Sequence, residues 1–339
     1  MISNFHVTPA INAVSLSHSF KTPRGKVEAL RGVSFSVERG EFFGLFGPNG
    51  AGKSTLIRVL ATLIIPTGGQ AAVMGHDTVR EANRVRAHIG LVFANENSFY
   101  GRLTGRQNLE FFAALQNLTR ARGRERAAEL LELFGLNQAA DSYFQSYSTG
   151  MRQKLNVARA LLHDPPVLFL DEPTKGMDVA TAEAVRGLLR RELVERQGKT
   201  VLLTTHDLDE METLCDRVAI LEGGAIRAVG APAELIQQAS ATVVYRLELA
   251  HAPESLVESL RDLPGVLSVE VASKTAAVTV LEMTFAEGTP APRLWETLIG
   301  QDAVVKRYAP KDDGLRALMM GGGIPSTDGT ASRRTDNVI

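Results

Sequence analysis

The segment Gly47-Pro48-Asn49-Gly50-Ala51-Gly52-Lys53-Ser54-Thr55 satisfies the spacing G-x-x-x-x-G-K-[ST]. Its residue types point to phosphate chemistry. Glycines let successive backbone N–H groups turn inward around a phosphate chain. A helix opening at this point adds unpaired donors and the positive end of its dipole. Lys53 has the reach for β- and γ-phosphates, and the Ser54 hydroxyl is a hard ligand suited to Mg2+. A second segment, Val167-Leu168-Phe169-Leu170-Asp171-Glu172, ends in two carboxylates. Its four apolar residues suit a strand buried on both faces. Asp171 and Glu172 would then emerge at its C-terminal end, where ligands bind on an open α/β sheet. There Asp171 would hold Mg2+ through water, and Glu172 would polarise an attacking water. Taken alone, the first segment is also compatible with an unrelated glycine-rich turn, and the second with a strand ending in solvated acids.

The surrounding pattern supplies the elements that such residues need. AVSLSHSF and ALRGVSFSV read as strands separated by the turn TPRG. Phe42–Phe46 is a short, wholly apolar strand leading into the glycine-rich segment, and LIRVLATLI follows with helical spacing. Helical signals dominate from Leu103 to about Ala160. After VLFLDEP come an amphipathic helix ended by Gly198, a buried strand TVLLTTH, and a hairpin RVAILEGGAIRAVG with a Gly-Gly turn. The economical reading is α/β, a parallel-sheet core with a helical insertion, over residues 11–238. Residues 240–320 have a different texture. They suggest strand-helix-strand-strand-helix-strand, a small α+β ferredoxin-like domain with Trp295 in its core. Residues 1–10 read as a flexible leader and 321–339 as a disordered tail.

Composition narrows the function classes. Of 339 residues, 44 % are hydrophobic and 22 % charged, the mix of a globular rather than a disordered chain. Lys+Arg 37 against Asp+Glu 38 gives a net charge of -1, without the basic excess of a dedicated nucleic-acid binder. The single cysteine excludes an intramolecular disulfide framework and fits a reducing compartment. No apolar run reaches the roughly 18 residues that cross a bilayer, and the N-terminus carries no secretory pattern. A cytoplasmic location is expected, with any membrane role exerted through a partner. TRARGRER, Thr119 to Arg126, reads as a solvated helix face, or else a lipid or phosphate patch.

With these motifs in place, residues 11–235 resemble the nucleotide-binding subunit of an ATP-binding-cassette (ABC) transporter. The segment Tyr147 to Leu161, YSTGMRQKLNVARAL, is similar to the signature LSGGQRQRVAIARAL, with Ser148, Gly150, Arg152, Gln153, Ala158 and Arg159 in register and Thr149 and Met151 departing. The resemblance implies a P-loop NTPase cassette built of a parallel-sheet core, an antiparallel β subdomain and a helical subdomain. It implies MgATP binding and hydrolysis between two head-to-tail copies, a homodimer being the simplest case. Ser148 and Gly150 would cap the γ-phosphate held by the opposite copy. His206 matches the switch histidine that contacts the γ-phosphate, and Asp178 in Gly176-Met177-Asp178 matches the D-loop at the dimer interface. Phe20 stands where an aromatic stacks on adenine, and core packing is its other reading. Integral membrane permease subunits would receive the work, which places the chain on the inner face of the plasma membrane.

One departure stands out. Counting forward from Ile89-Gly90 puts the glutamine-loop residue at Ala94, and counting back from Leu103-Thr104 puts it at Asn95. Neither is Gln, and Asn95 is nominated to donate to a water or Mg2+ ligand. The loop, STGMRQK and the extra C-terminal domain resemble exporters of the daunorubicin-resistance and nodulation-factor group. Two other readings remain: a soluble cassette ATPase acting on DNA or ribosomes, and a nucleotide-gated regulator that scarcely hydrolyses ATP. The first lacks its usual coiled coils, zinc motifs or fused second cassette, and an intact Glu172 speaks against the second.

Overall fold

The computed structural model describes residues 8–310, except 24, 94–97, 241, 254, 276–277 and 287–290. The tail expected over 321–339 and most of the leader expected over 1–10 lie outside the described residues. Ala10 does not behave as leader. It is fully buried, and its carbonyl accepts the Met74 N–H at 2.7 Å, because a small apolar residue there closes the start of the first strand.

The chain begins with β1 (Ile11–Thr22) and β2 (Gly25–Val37), an antiparallel hairpin. Next come β3 (Phe42–Phe46) and α1 (Lys53–Leu60). The helix stops short of the expected Ile64, because Thr62 takes a left-handed φ of 64° and the Leu63 and Ile64 N–H groups both fold back to Arg58 O. Then follow β4 (Gly68–Val73), β5 (His76–Asp77), α2 (Ala82–His88) and β6 (Ile89–Phe93). β1, β2, β4 and β5 form an antiparallel sheet in the order β2-β1-β4-β5.

A helical stretch contains α3 (Gly105–Leu115), α4 (Arg120–Leu133) and α5 (Thr149–Ala160). Each starts on a side chain that satisfies a first-turn N–H: Thr104 with Gln107 in a reciprocal capping box, then Thr119, then Ser148. The basic TRARGRER face is laced with carboxylates, Arg122 to Glu125 at 2.7 Å and Arg126 to Glu129 at 2.8 Å, as a solvated helix face requires.

β7 (Val167–Asp171) and α6 (Val179–Leu188) follow, and the chain continues as a π-helical turn over Leu189–Arg196 that Gly198 terminates. β8 (Thr200–Thr205), α7 (Leu208–Leu214), β9 (Arg217–Glu222) and β10 (Ala225–Gly230) complete a six-stranded sheet, ordered β10-β9-β3-β8-β7-β6. It is parallel from β9 to β6, and only β10 runs against its neighbour. β3, β7 and β8 are buried at every residue, as a parallel sheet covered on both faces demands.

The chain divides into two compact units between Glu234 and Leu235, within α8 (Pro232–Ser240). The second unit contains β11 (Thr242–His251), α9 (Leu256–Arg261), β12 (Val266–Lys274), β13 (Thr279–Ala286), α10 (Ala291–Gly300) and β14 (Val304–Pro310). Its antiparallel sheet has the order β12-β13-β11-β14, with a core of Leu247, Leu249, Leu281, Met283, Leu294 and Leu298 among others. Trp295 corrects an expectation. It stays 37 % exposed and only its ring edge meets Tyr308, at 5.3 Å between centroids, while its neighbours Leu294 and Leu298 occupy the core.

Candidate active site

Strand register places the chemistry. β8 lies between β3 and β7, with Phe46 opposite Thr205 and Asp171 opposite Thr204. The loop after Phe46, the carboxylates at the end of β7 and His206 after β8 therefore meet along the C-terminal edge formed by the ends of these interior strands. Two glycines allow the loop its shape. Gly52 caps α1 at φ 110°, and a Cβ there would lie 2.5 Å from Ala29 O. A Cβ on Gly47 would lie 2.1 Å from Leu221 O.

The side chains at this edge hold one another. Lys53 is buried, and its Nζ donates to Gly47 O at 2.6 Å and Pro48 O at 3.1 Å. Burial holds the Lys53 ammonium below the ordinary lysine range, against the opposing pull of Glu172 and Asp171. Asp171 Oδ1 accepts from Ser54 Oγ at 3.1 Å and from Thr204 Oγ1 at 2.5 Å. Glu172 Oε1 lies 2.9 Å from His206 Nδ1, and Oε2 accepts from Lys175 Nζ at 2.5 Å. Burial pushes the Glu172 carboxyl up, but Lys175 and His206 outweigh it, so its pKa falls below the usual carboxylate value. Glu172 itself sits at φ 50°, a strained backbone for a residue with a side chain.

Lys53, Ser54, Asp171, Glu172 and Lys175 line a cleft of about 620 Å³, together with Asn49, Gly50, Thr55, Arg58 and the hairpin residues Val27 to Ala29; His206 is outside the lining and reaches it only through Glu172. Phe20 is not in the lining. It is 38 % exposed, packs edge-on against His18 at 4.6 Å, and pairs across the hairpin with Val27, which does line the cleft. Asn95 and Ala94 lie outside the described residues.

Ser148, Gly150 and Asp178 meet elsewhere, in a second concavity of about 340 Å³ that also includes Lys154 and Thr181. Ser148 Oγ accepts the Met151 N–H at 3.3 Å and opens α5, and Asp178 Oδ1 accepts the Thr181 N–H at 2.9 Å and opens α6. Gly150 lets the two helix starts approach, since a Cβ on it would come within 2.7 Å of Thr181 Cγ2. None of these residues lines the first cleft.

Comparison with known proteins decides the family. A model of the ABC transporter family matches residues 30–175. The daunorubicin/doxorubicin resistance ATP-binding protein DrrA of Streptomyces peucetius is 42 % identical over 264 residues, 78 % of this chain and 78 % of its own. This chain belongs to the ABC transporter ATP-binding subunits. As such it is an ATP-hydrolysing ABC subunit with the cassette fold. The ABC transporter ATP-binding protein NatA of Bacillus subtilis is 36 % identical, over 65 % of this chain and 89 % of its own. Among solved structures, the ATP-binding cassette MJ0796, a dimer in a post-hydrolysis state with ADP and Pi, superposes with a TM-score of 0.60 at 28 % identity, over 66 % of this chain and 98 % of its own. The cassette cbiO1 of Clostridium perfringens, part of a transporter complex, superposes at 0.61 with 27 % identity, over 68 % and 91 %.

Several residues of this ABC cassette escape a linear reading of its sequence. Thr204 holds Asp171 and Lys175 holds Glu172, but only the strand register and the turn after β7 bring them there. Thr174 Oγ1 donates to the buried Glu210 at 2.8 Å, and Arg186 pairs with Asp207 at 3.1 Å, which ties the segments on either side of Asp178 to the residues after His206. The Asn156 amide donates to Phe93 O at 3.1 Å, linking α5 to the strand that precedes Asn95. No helix of the described residues is long and apolar enough to cross a membrane.

Proposed function

We propose that two copies of this chain close head to tail around MgATP and drive export through separate membrane permease subunits. One observation carries the reading: the chain bears two distinct concavities that complement each other. The first offers Lys53, the loop amides, Ser54, Asp171 and Glu172. The second offers helix N-terminal donors, the Ser148 hydroxyl and the small Gly150, and its one carboxylate, Asp178, is engaged as the cap of α6. A terminal phosphate seated in the first would leave its outer oxygens free for the donors of another copy's second. Each nucleotide then adds contacts across the interface, so ATP favours the closed pair by differential binding to two states.

Hard oxygen donors at the first cleft fit Mg2+: the Ser54 hydroxyl and Asp171 Oδ1 lie 3.1 Å apart on the lining. No cluster of three His, Cys, Asp or Glu exists among the described residues, as expected if the nucleotide's own phosphates complete the coordination. When bound, Mg2+ neutralises charge on the β- and γ-oxygens. Lys53 leaves the carbonyls of Gly47 and Pro48 for the phosphates. Glu172 accepts a proton from the attacking water as its oxygen bonds to the γ-phosphorus, the bond to the ADP oxygen breaks, and ADP and inorganic phosphate result. His206, on Glu172 through Nδ1, keeps Nε2 for the phosphate. Loss of the bridging phosphate lets the pair open.

The helical stretch over α3 and α4 is the surface through which closure reaches the permease, and Asn95, outside the described residues, is expected to take part. Two relatives are named as daunorubicin/doxorubicin and linearmycin resistance ATP-binding proteins, which supports a small-molecule cargo. Residues 240–320 are read as a ferredoxin-like module that stabilises or regulates the dimer. The test is a Glu172→Gln chain on a sizing column with light scattering. It should elute as a monomer without nucleotide and as a dimer with MgATP. A monomer that carries bound ATP would overturn the head-to-tail reading.

A further inference from the structure

Two cleft cations have no part in the ATPase reading, and they differ: Arg58 lies over the Phe93 ring, whereas Lys175 is paired with the carboxylate Glu172. The Lys175 ammonium sits 2.5 Å from Glu172 Oε2 and lines the same cleft as Lys53, Ser54 and Asp171. Its side chain is half exposed, whereas that of Glu172 is 13 % exposed. The backbone beneath it is fixed: the Lys175 N–H returns to Glu172 O at 3.2 Å, and the Glu172 N–H is held by Thr204 O at 3.1 Å. Both backbones are thus held; of the two side chains, Glu172 is enclosed and also bonded to His206, and Lys175 is the one with open space around it.

Distance then limits where that ammonium can work. A general base acts within about 3 Å of the water that it activates. That water attacks from about 3–3.5 Å of the phosphorus. An ammonium touching Glu172 is therefore within one lysine swing of the terminal phosphate. A half-exposed lysine–carboxylate pair is weak, because water screens it and ordering the side chain costs entropy. A terminal phosphate offers more charge and more acceptor oxygens, and charge-assisted contacts to it are stronger. Lys53 shows the same habit, resting on the carbonyls of Gly47 and Pro48 in this structure.

We propose that Lys175 is a second phosphate-end lysine, resting on Glu172 until a γ-phosphate draws it across. Its transfer adds a cation where charge develops and frees Oε2 of Glu172 for the attacking water. This inference rests on the ATPase reading and deepens it: the site senses the terminal phosphate, not the nucleotide as a whole.

The experiment compares Lys175→Ala and Lys175→Arg with the wild-type full chain. Affinities for a β,γ-imido ATP analogue and for ADP, both with Mg2+, are measured by calorimetric titration, and turnover by phosphate release. In Lys175→Ala the analogue should weaken about tenfold and ADP less than about twofold, with turnover down about tenfold, as expected for one lost charge-assisted contact. Lys175→Arg should recover most of each loss, because it keeps the charge. An unchanged preference for the analogue over ADP would overturn the proposal, including the case where both weaken together. So would faster turnover in Lys175→Ala. A wild-type chain that binds both probes without turnover would defeat the ATPase reading alone, and the affinity ratio would still judge Lys175.

Discussion

The two concavities of the cassette are built from the same material and organised differently. At the cleft after β3, the ionic groups are wired to one another: Lys53 to the loop carbonyls, Ser54 and Thr204 to Asp171, Lys175 and His206 to Glu172. At the α5–α6 surface, Ser148 and Asp178 instead serve their own helices as caps, Ser148 on Met151 N and Asp178 on Thr181 N. The first can do chemistry and lacks an outer wall. The second is a wall without chemistry. On the proposed head-to-tail reading the difference makes catalysis a property of two chains, and each of the first predictions below breaks one side and leaves the other.

The largest effect belongs to the wired side. Glu172→Gln should retain ATP binding and reduce phosphate release about a thousandfold, the loss typical when a general base is removed. Turnover at the wild-type rate would reject Glu172 as the base. Chelating Mg2+ with EDTA should likewise bring turnover to background, and equilibrium dialysis should still detect bound nucleotide on Lys53 and the loop amides.

The wall is next. Ser148→Ala should lower turnover about a hundredfold, the scale for losing one donor to a developing oxyanion. It should leave ATP affinity of the isolated chain within about twofold, and cost about 1 kcal/mol in urea unfolding through the lost cap. Equal losses in affinity and turnover would place Ser148 in the first cleft instead.

Gly52→Ala separates shape from charge. It should destabilise the chain by about 1–3 kcal/mol, because the position combines a left-handed backbone with a carbonyl 2.5 Å from the new Cβ. A chain as stable as wild type in urea would show that the loop relaxes more readily than its geometry implies.

The smallest effect lies away from both halves. Burial holds His163 below its ordinary value of 6.5, its Nε2 on Ile89 O at 3.0 Å. The neutral ring is favoured in the fold, so its contribution is full above the unfolded pKa and declines as pH falls through and below about 6.5. A His163→Asn chain should show a flatter fall of the urea midpoint between neutral and mildly acidic pH. Parallel slopes in the two chains would refute a buried neutral ring.

What the sequence disclosed follows the same division. Phosphate-loop spacing and the apolar run before Asp171 depend on neighbours in the chain, so local patterns display them. The elements between Gly68 and His88 did not register: β4 opens on Gly-Gly and β5 spans only His76–Asp77, too short for a period to show. The helix after β7 did reach Gly198, but its widening over Leu189–Arg196 has no residue signature. Lys175 reads as one basic residue in a turn until the fold sets it on Glu172, and Thr204 reads as strand filler until β8 pairs with β7. The apolar positions around Trp295 are legible as core, but helix phase gives the buried places to Leu294 and Leu298 and leaves Trp295 partly exposed.

Head-to-tail closure is tested most directly by a disulfide between the two concavities. The native Cys215 is buried, so a chain carrying Asn49→Cys and Ser148→Cys can be oxidised at the new thiols alone. With ATP, mild oxidation should give a covalent dimer of twice the chain mass on a non-reducing gel, and without nucleotide it should give little. A chain that binds ATP and stays monomeric under oxidation would contradict the account.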